Sequence, residues 1–145
     1  MSINYAQKIT THTNLCIAVD FDGTIVDHQT QQKDGEWTTE LVANYLAIDT
    51  LKDLVKKGHK LILWTCRTGA TLRQAVQYLD AHDVQLTGVN ENPVIDMASY
   101  SPKVFCNIYI DDAAIGCPLK PGNGERPVVD WLKIRELFHL EHWPE

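Results

Sequence analysis

Short apolar runs alternate with amphipathic stretches along this chain. Cys16-Ile17-Ala18-Val19 is a continuous apolar run that opens directly into Asp20 and Asp22. A run of this kind with β-branched members fits a strand buried on both faces of a parallel sheet. Leu41, Tyr45, Ile48, Leu51 and Val55 then recur at helical steps, which predicts an amphipathic helix. Lys56-Lys57-Gly58 closes it, with cations at the negative end and glycine past the last turn. Leu61-Ile62-Leu63-Trp64 reads as a second strand. Thr71 and Gln74 have capping-box spacing and predict a helix through His82, with Leu72, Ala75, Val76 and Leu79 inward.

Leu86–Val89 predicts a third strand and Ile108–Ile110 a fourth, which runs into Asp111-Asp112. Trp131, Ile134, Leu137 and Phe138 predict a closing helix over Asp130–Leu140. Between these elements, the polar stretch Asp27–Trp37 carries Asp34-Gly35 as a hairpin turn. Asn90 and Asn92 read as turn formers, Pro93–Pro102 as irregular with one helical turn, and Pro118–Pro127 as loop. Trp37 and Trp64 read as core or partly buried positions. Strands alternating with helices give an α/β fold: three layers, Rossmann-like, with a mostly parallel central sheet and helices on both faces.

Composition narrows the class. The 145 residues suit a single domain spanning 1–145, with 44% hydrophobic and 22% charged residues as in an ordinary globular protein. A net charge of −6 argues against nucleic acid or an anionic membrane as partner. No apolar run approaches the roughly 20 residues of a membrane span. The first residues, MSINYAQKITTHTN, lack the apolar core of a secretory signal. Cys16, Cys66, Cys106 and Cys117 form no C-x-x-C pair and read as buried free thiols. Together these lead to the expectation of a cytoplasmic protein.

Asp20 and Asp22 are the candidate chemistry. Were extended geometry to continue past Val19, their side chains would point the same way. Converging carboxylates repel, and persist where a cation or a proton separates them. Gly23 permits a tight turn and close backbone approach to a ligand. The plain alternative is a solvated turn that closes a strand. Likewise Thr65 could cap the next helix, Asp111-Asp112 could be a turn, Lys103 a surface lysine and Arg67 a surface ion pair.

The set Asp20-Phe21-Asp22-Gly23-Thr24, Thr65 after a strand, Lys103, and Asp111-Asp112 after another strand resembles the haloacid dehalogenase (HAD) superfamily. The resemblance implies a magnesium-dependent phosphatase that hydrolyses phosphate monoesters through an aspartyl-phosphate. By that similarity Asp20 is the nucleophile, Asp22 the general acid, Thr65 a donor to the phosphoryl group and Lys103 a neutralising cation. Asp111 and Asp112 would complete a Mg2+ site with Asp20 and the backbone carbonyl of Asp22, and which of the two binds the ion directly is left open. Gly23, Thr24 and Arg67 are the expected substrate contacts. Only a short segment separates Asp27 from the first predicted helix, and one helix, one strand and a turn fill Arg67–Lys103, so no cap domain is expected.

A capless site is open. It is covered by a large substrate or by a neighbouring subunit, on which ground a homo-oligomer is expected. The partner is then a phosphorylated substrate, small rather than macromolecular. Two other readings stay open: a phosphotransferase or nucleic-acid-end phosphatase with the same chemistry, and a catalytically idle binding or regulatory module on this fold.

Overall fold

The buried run Cys16–Val19 forms β1, the strand on which the sheet is built. A computed structural model describes residues 14–30, 32–36, 38–94, 101–124 and 126–140. The chain continues through α1 (Ala47–Lys56), β2 (Lys60–Leu63), α2 (Gly69–Ala81), β3 (Gly88–Val89) and β4 (Ile108–Ile110). It ends in a small hairpin, β5 (Leu119–Lys120) with β6 (Val128–Val129), and helix α3 (Trp131–Leu137).

The main sheet has the order β3-β2-β1-β4 and every pair in it is parallel. Register places Val19 beside both Leu63 and Ile110, so the residues that follow each strand share one edge. The steps β1 to β2 and β2 to β3 run the same way across the sheet. Right-handed crossovers therefore put α1 and α2 on the same face. Ile17, Val19, Leu61 and Leu63 meet Leu51 and Leu54 of α1, Leu79 of α2 and Ile134 of α3 in one core. The connection from β3 to β4 runs the other way, and handedness sends it over the opposite face. There Ala18 and Ile62 pack against Val104 and Cys106. Among the described residues no helix covers that face, so the expected helices on both faces are present on one.

Most predicted elements are found, with shifted ends. The helix expected from Leu41 begins at Ala47, because the preceding residues pair with the turn after β1. Asp27 N–H donates to Val42 O (2.9 Å) and Asn44 N–H to Ile25 O (2.9 Å), while Ala43 bridges Val26. Tyr45, predicted inward, is exposed, and Leu46 enters α1 with φ of 68°. Thr71-to-Gln74 is not a capping box: α2 starts at Gly69, and the Gln74 amide donates to Thr39 O instead. The 118–127 loop contains β5, paired antiparallel to β6. Asp34-Gly35 does turn a hairpin, with Gly35 at φ 88° and Thr38 N–H donating to Thr30 O at 2.9 Å. Cys16 and Cys106 are buried, but Cys66 is exposed. Trp37 and most of Pro93–Pro102 lie outside the described residues. No described helix is long and apolar enough to cross a membrane.

Asp130 caps α3 by accepting from the Leu132 and Lys133 amides. The helix thereby delivers Trp131 into the core, where its indole N–H donates to Thr24 O at 2.7 Å. Trp131→Ala is expected to cost about 3–5 kcal/mol, the usual range for emptying a buried tryptophan site. Urea denaturation read by circular dichroism checks this.

Candidate active site at the carboxyl edge of the sheet

From β1 the chain runs outward through β2 and β3, then returns to the other side of β1. β1 and β4 are parallel neighbours, so the segments that follow them start side by side and border one crevice at this edge of the sheet. The sequence sets Asp20 after β1 and Asp111-Asp112 after β4, so carboxylates face the crevice from both strands. One oxygen each from Asp20, Asp111 and Asp112 lie within 4.8 Å of one another.

Crowding has an electrostatic consequence. Burial, the hydrogen bond shared with Asp112 and the charge of Asp111 push the Asp20 carboxyl up to about 8, outweighing hydrogen bonds from Phe21 N–H and Thr24 that favour the anion. A proton between Asp20 and Asp112 relieves the repulsion here. A divalent cation could do the same. Carboxylate oxygens suit a hard ion, and oxygens at about 2.0–2.1 Å from Mg2+ lie roughly 3–4 Å from one another. Modest contraction of the cluster suffices, so the donor set fits magnesium.

The turn after β1 positions these groups from within. Thr24 is fully buried; its hydroxyl donates to Asp20 Oδ2 (3.1 Å) and accepts from Asp112 N–H (3.2 Å). Its carbonyl accepts from Asn44 Nδ2 (2.9 Å) and from Trp131. Thr24, expected as a substrate contact, is fully buried and braces the carboxylates. Gly23 has φ of 78°, and a Cβ there would lie 2.2 Å from the His28 ring and 2.7 Å from Asp112 Oδ2. The close approach that needs glycine is to these side chains. His28 Nε2 in turn stands 3.4 Å from Asp112 Oδ2 and 3.2 Å from Pro127 O.

Asp22 departs from the expected convergence. The chain leaves extended geometry at Phe21, whose carbonyl accepts from the amides of Thr24, Ile25 and Val26. The two aspartates consequently diverge, and Asp22 meets Arg67. Arg67 Nε and Nη2 donate to the two Asp22 oxygens at 2.8 and 2.7 Å, a bidentate fork. Nη1 donates to Thr71 O and Gln74 Oε1, and the guanidinium lies 4.9 Å from the Phe21 ring centroid. Arg67, expected at the surface, is thus buried and holds Asp22.

Thr65 stands just past β2 on the same edge. The Asn90 side chain grips its backbone, with Thr65 N–H donating to Oδ1 (2.9 Å) and Nδ2 donating to Thr65 O (3.0 Å). Asn90, read from sequence as a turn former, is a positioning residue. Its place just after β3, beside β2, was the available signal. His28, Asn44 and Trp131 were also missed, since their roles exist only through partners distant in sequence. Lys103, expected beside the nucleophile, has its ammonium 5.5 Å from the Tyr109 ring centroid.

No protein-family model matches the chain, and no curated protein matches it. Among solved structures, it is similar to that of a conserved protein from Bacteroides thetaiotaomicron. The two are 29% identical with a TM-score of 0.65, over 90% of this chain and 93% of that one.

The raised Asp20 value carries a sign. Between the ordinary 3.8 and about 8 the folded protein holds a proton that the unfolded chain has lost. Asp20's contribution to stability is full below about pH 4 and disappears as pH rises through about 8. Asp20→Asn removes this titration, so its melting temperature should gain on wild type steadily from pH 5 to pH 8 in EDTA. Added Mg2+ should raise the wild-type value more at pH 8 than at pH 5. Differential scanning fluorimetry across that range reads both, and a pH-independent difference would contradict the assignment.

Proposed function

We propose that the chain is a HAD-type, magnesium-dependent phosphatase acting on phosphate monoesters through an aspartyl-phosphate. The observation that carries this reading is the convergence of Asp20, Asp111 and Asp112 at the strand-order reversal. A carboxylate attacks a phosphate dianion poorly unless positive charge screens the encounter. Bound Mg2+ would supply that screening, held by Asp20, Asp111 and Asp112.

In the first displacement, an Asp20 oxygen forms a bond to phosphorus as the bond to the ester oxygen breaks. The departing alcohol takes a proton from Asp22. In the second, water attacks the same phosphorus, its proton passes to Asp22, and the Asp20 carboxylate is released with inorganic phosphate. Both Asp22 oxygens accept from Arg67, so the acid role requires Asp22 to leave that fork and take up a proton from water when substrate arrives. Arg67 stores the carboxylate beside the site. Thr65, gripped by Asn90, would present its hydroxyl to the phosphoryl oxygens.

One observation favours a second reading, an idle binding module on the same fold. Lys103, the cation that the resemblance places at the nucleophile, lies over Tyr109 instead. Phosphate release from p-nitrophenyl phosphate, sugar phosphates, nucleotides and a 3′-phosphorylated oligonucleotide separates the two. We expect turnover that needs Mg2+, falls to background in Asp20→Asn and drops by roughly 10²–10⁴-fold in Asp22→Asn. Magnesium binding without turnover of any ester would favour the module.

A further inference from the structure

Each carboxylate of the cluster needs a donor to fix its direction. Asp20 Oδ2 accepts from the Thr24 hydroxyl at 3.1 Å, and Asp111 Oδ1 from Ala113 N–H at 2.9 Å. Asp112 is less well served. A hydroxyl has one hydrogen to give, and with that hydrogen on Asp20, Thr24 Oγ1 stands 3.5 Å from Asp112 Oδ1. Apart from the bond Asp112 shares with Asp20, the side-chain donor beside it among the described residues is His28, whose Nε2 lies 3.4 Å from Oδ2.

The fold builds His28 into this place. Its side chain and that of Asp112 are only 10% and 14% exposed. The ring packs so closely on Gly23 that no Cβ would fit there. Nε2 also stands 3.2 Å from Pro127 O, just before β6, and Val129 N–H of β6 donates to Gly23 O at 3.0 Å. The β5–β6 hairpin thus holds both the ring and the glycine beneath it. A carbonyl oxygen only accepts, so Nε2 carries the hydrogen and has no lone pair for a cation. The three donor atoms that gather within 4.8 Å are all carboxylate oxygens. His28 therefore acts on an ion through Asp112 and does not touch it.

We propose that His28 is a positioning residue for the cation site: it orients the Asp112 carboxylate as an ion ligand and ties that orientation to the β5–β6 hairpin. The inference rests on the magnesium site of the proposed function and adds to it a residue from outside the cluster. Hydrogen-bond partners that fix a ligand's direction matter to metal affinity nearly as much as the ligand itself.

The test is calorimetric titration of Mg2+ into the metal-free full chain, as wild type, His28→Ala, His28→Asn and His28→Gln, with ester turnover measured in parallel. A glutamine amide nitrogen can reach the place of Nε2, whereas an asparagine amide stops at that of Nδ1. His28→Ala and His28→Asn should bind Mg2+ about 10–100-fold more weakly than wild type, and His28→Gln should recover most of the loss. Circular dichroism in EDTA separates a lost fold from a lost site, and the comparison of Gln with Asn stands if the alanine variant does not fold. Wild-type affinity in His28→Ala and His28→Asn would overturn the role and leave the phosphatase reading standing. Affinity in His28→Gln as low as in His28→Asn would make the imidazole itself indispensable, as a direct ligand is, and would overturn it too. The expected affinities without turnover of any ester would uphold His28 and remove the phosphatase chemistry. Absence of Mg2+ binding by wild type would overturn both.

Discussion

Three carboxylates brought within 4.8 Å of one another are the constraint on which the rest of this structure turns. Like charges at that separation repel, and in a partly buried crevice water screens them weakly. The fold must hold them together by other means. It does so with β1 and β4, neighbours whose register aligns Val19 with Ile110. Thr24 then ties Asp20 to the backbone of Asp112 from beneath, and Asn44 and Trp131 hold Thr24 by its carbonyl. Residues far apart in the chain therefore serve one local arrangement. A proton completes it, which is why Asp20 stands far above the ordinary carboxyl range.

Strands were the most legible part of the sequence. Continuous apolar runs at Cys16–Val19 and Ile108–Ile110 admit little besides a buried strand, and both fall where the pattern put them. Helix starts were less legible. The apolar periodicity from Leu41 to Val55 spans a pairing segment and a helix, and nothing local distinguishes the two. Only the long-range bonds of Val42 and Asn44 to the turn after β1 settle the boundary.

The same division runs through the site. Asp20, Asp111 and Asp112 were legible because strand ends gather at one edge once the sheet is parallel. The direction of Asp22 was not legible, because it depends on where extended geometry stops, and the chain turns at Phe21. Arg67 looked exposed in sequence, since its partners Asp22 and Gln74 meet it only in three dimensions. Asn90 and His28 likewise acquire their roles from neighbours across the sheet edge.

Asp20 is the nucleophile in the proposed reaction, and the cluster around it would manage phosphoryl charge. The most direct test of that role is the covalent species itself. The protein is mixed with a turned-over phosphate ester and Mg2+, quenched in acid within milliseconds to seconds, digested and analysed by mass spectrometry. A phosphoryl group on the peptide that contains Asp20, absent when the ester or the ion is left out, is the predicted result. Ester turnover with no phosphoryl group on that peptide at any quench time, or with one on a different side chain, would contradict the account.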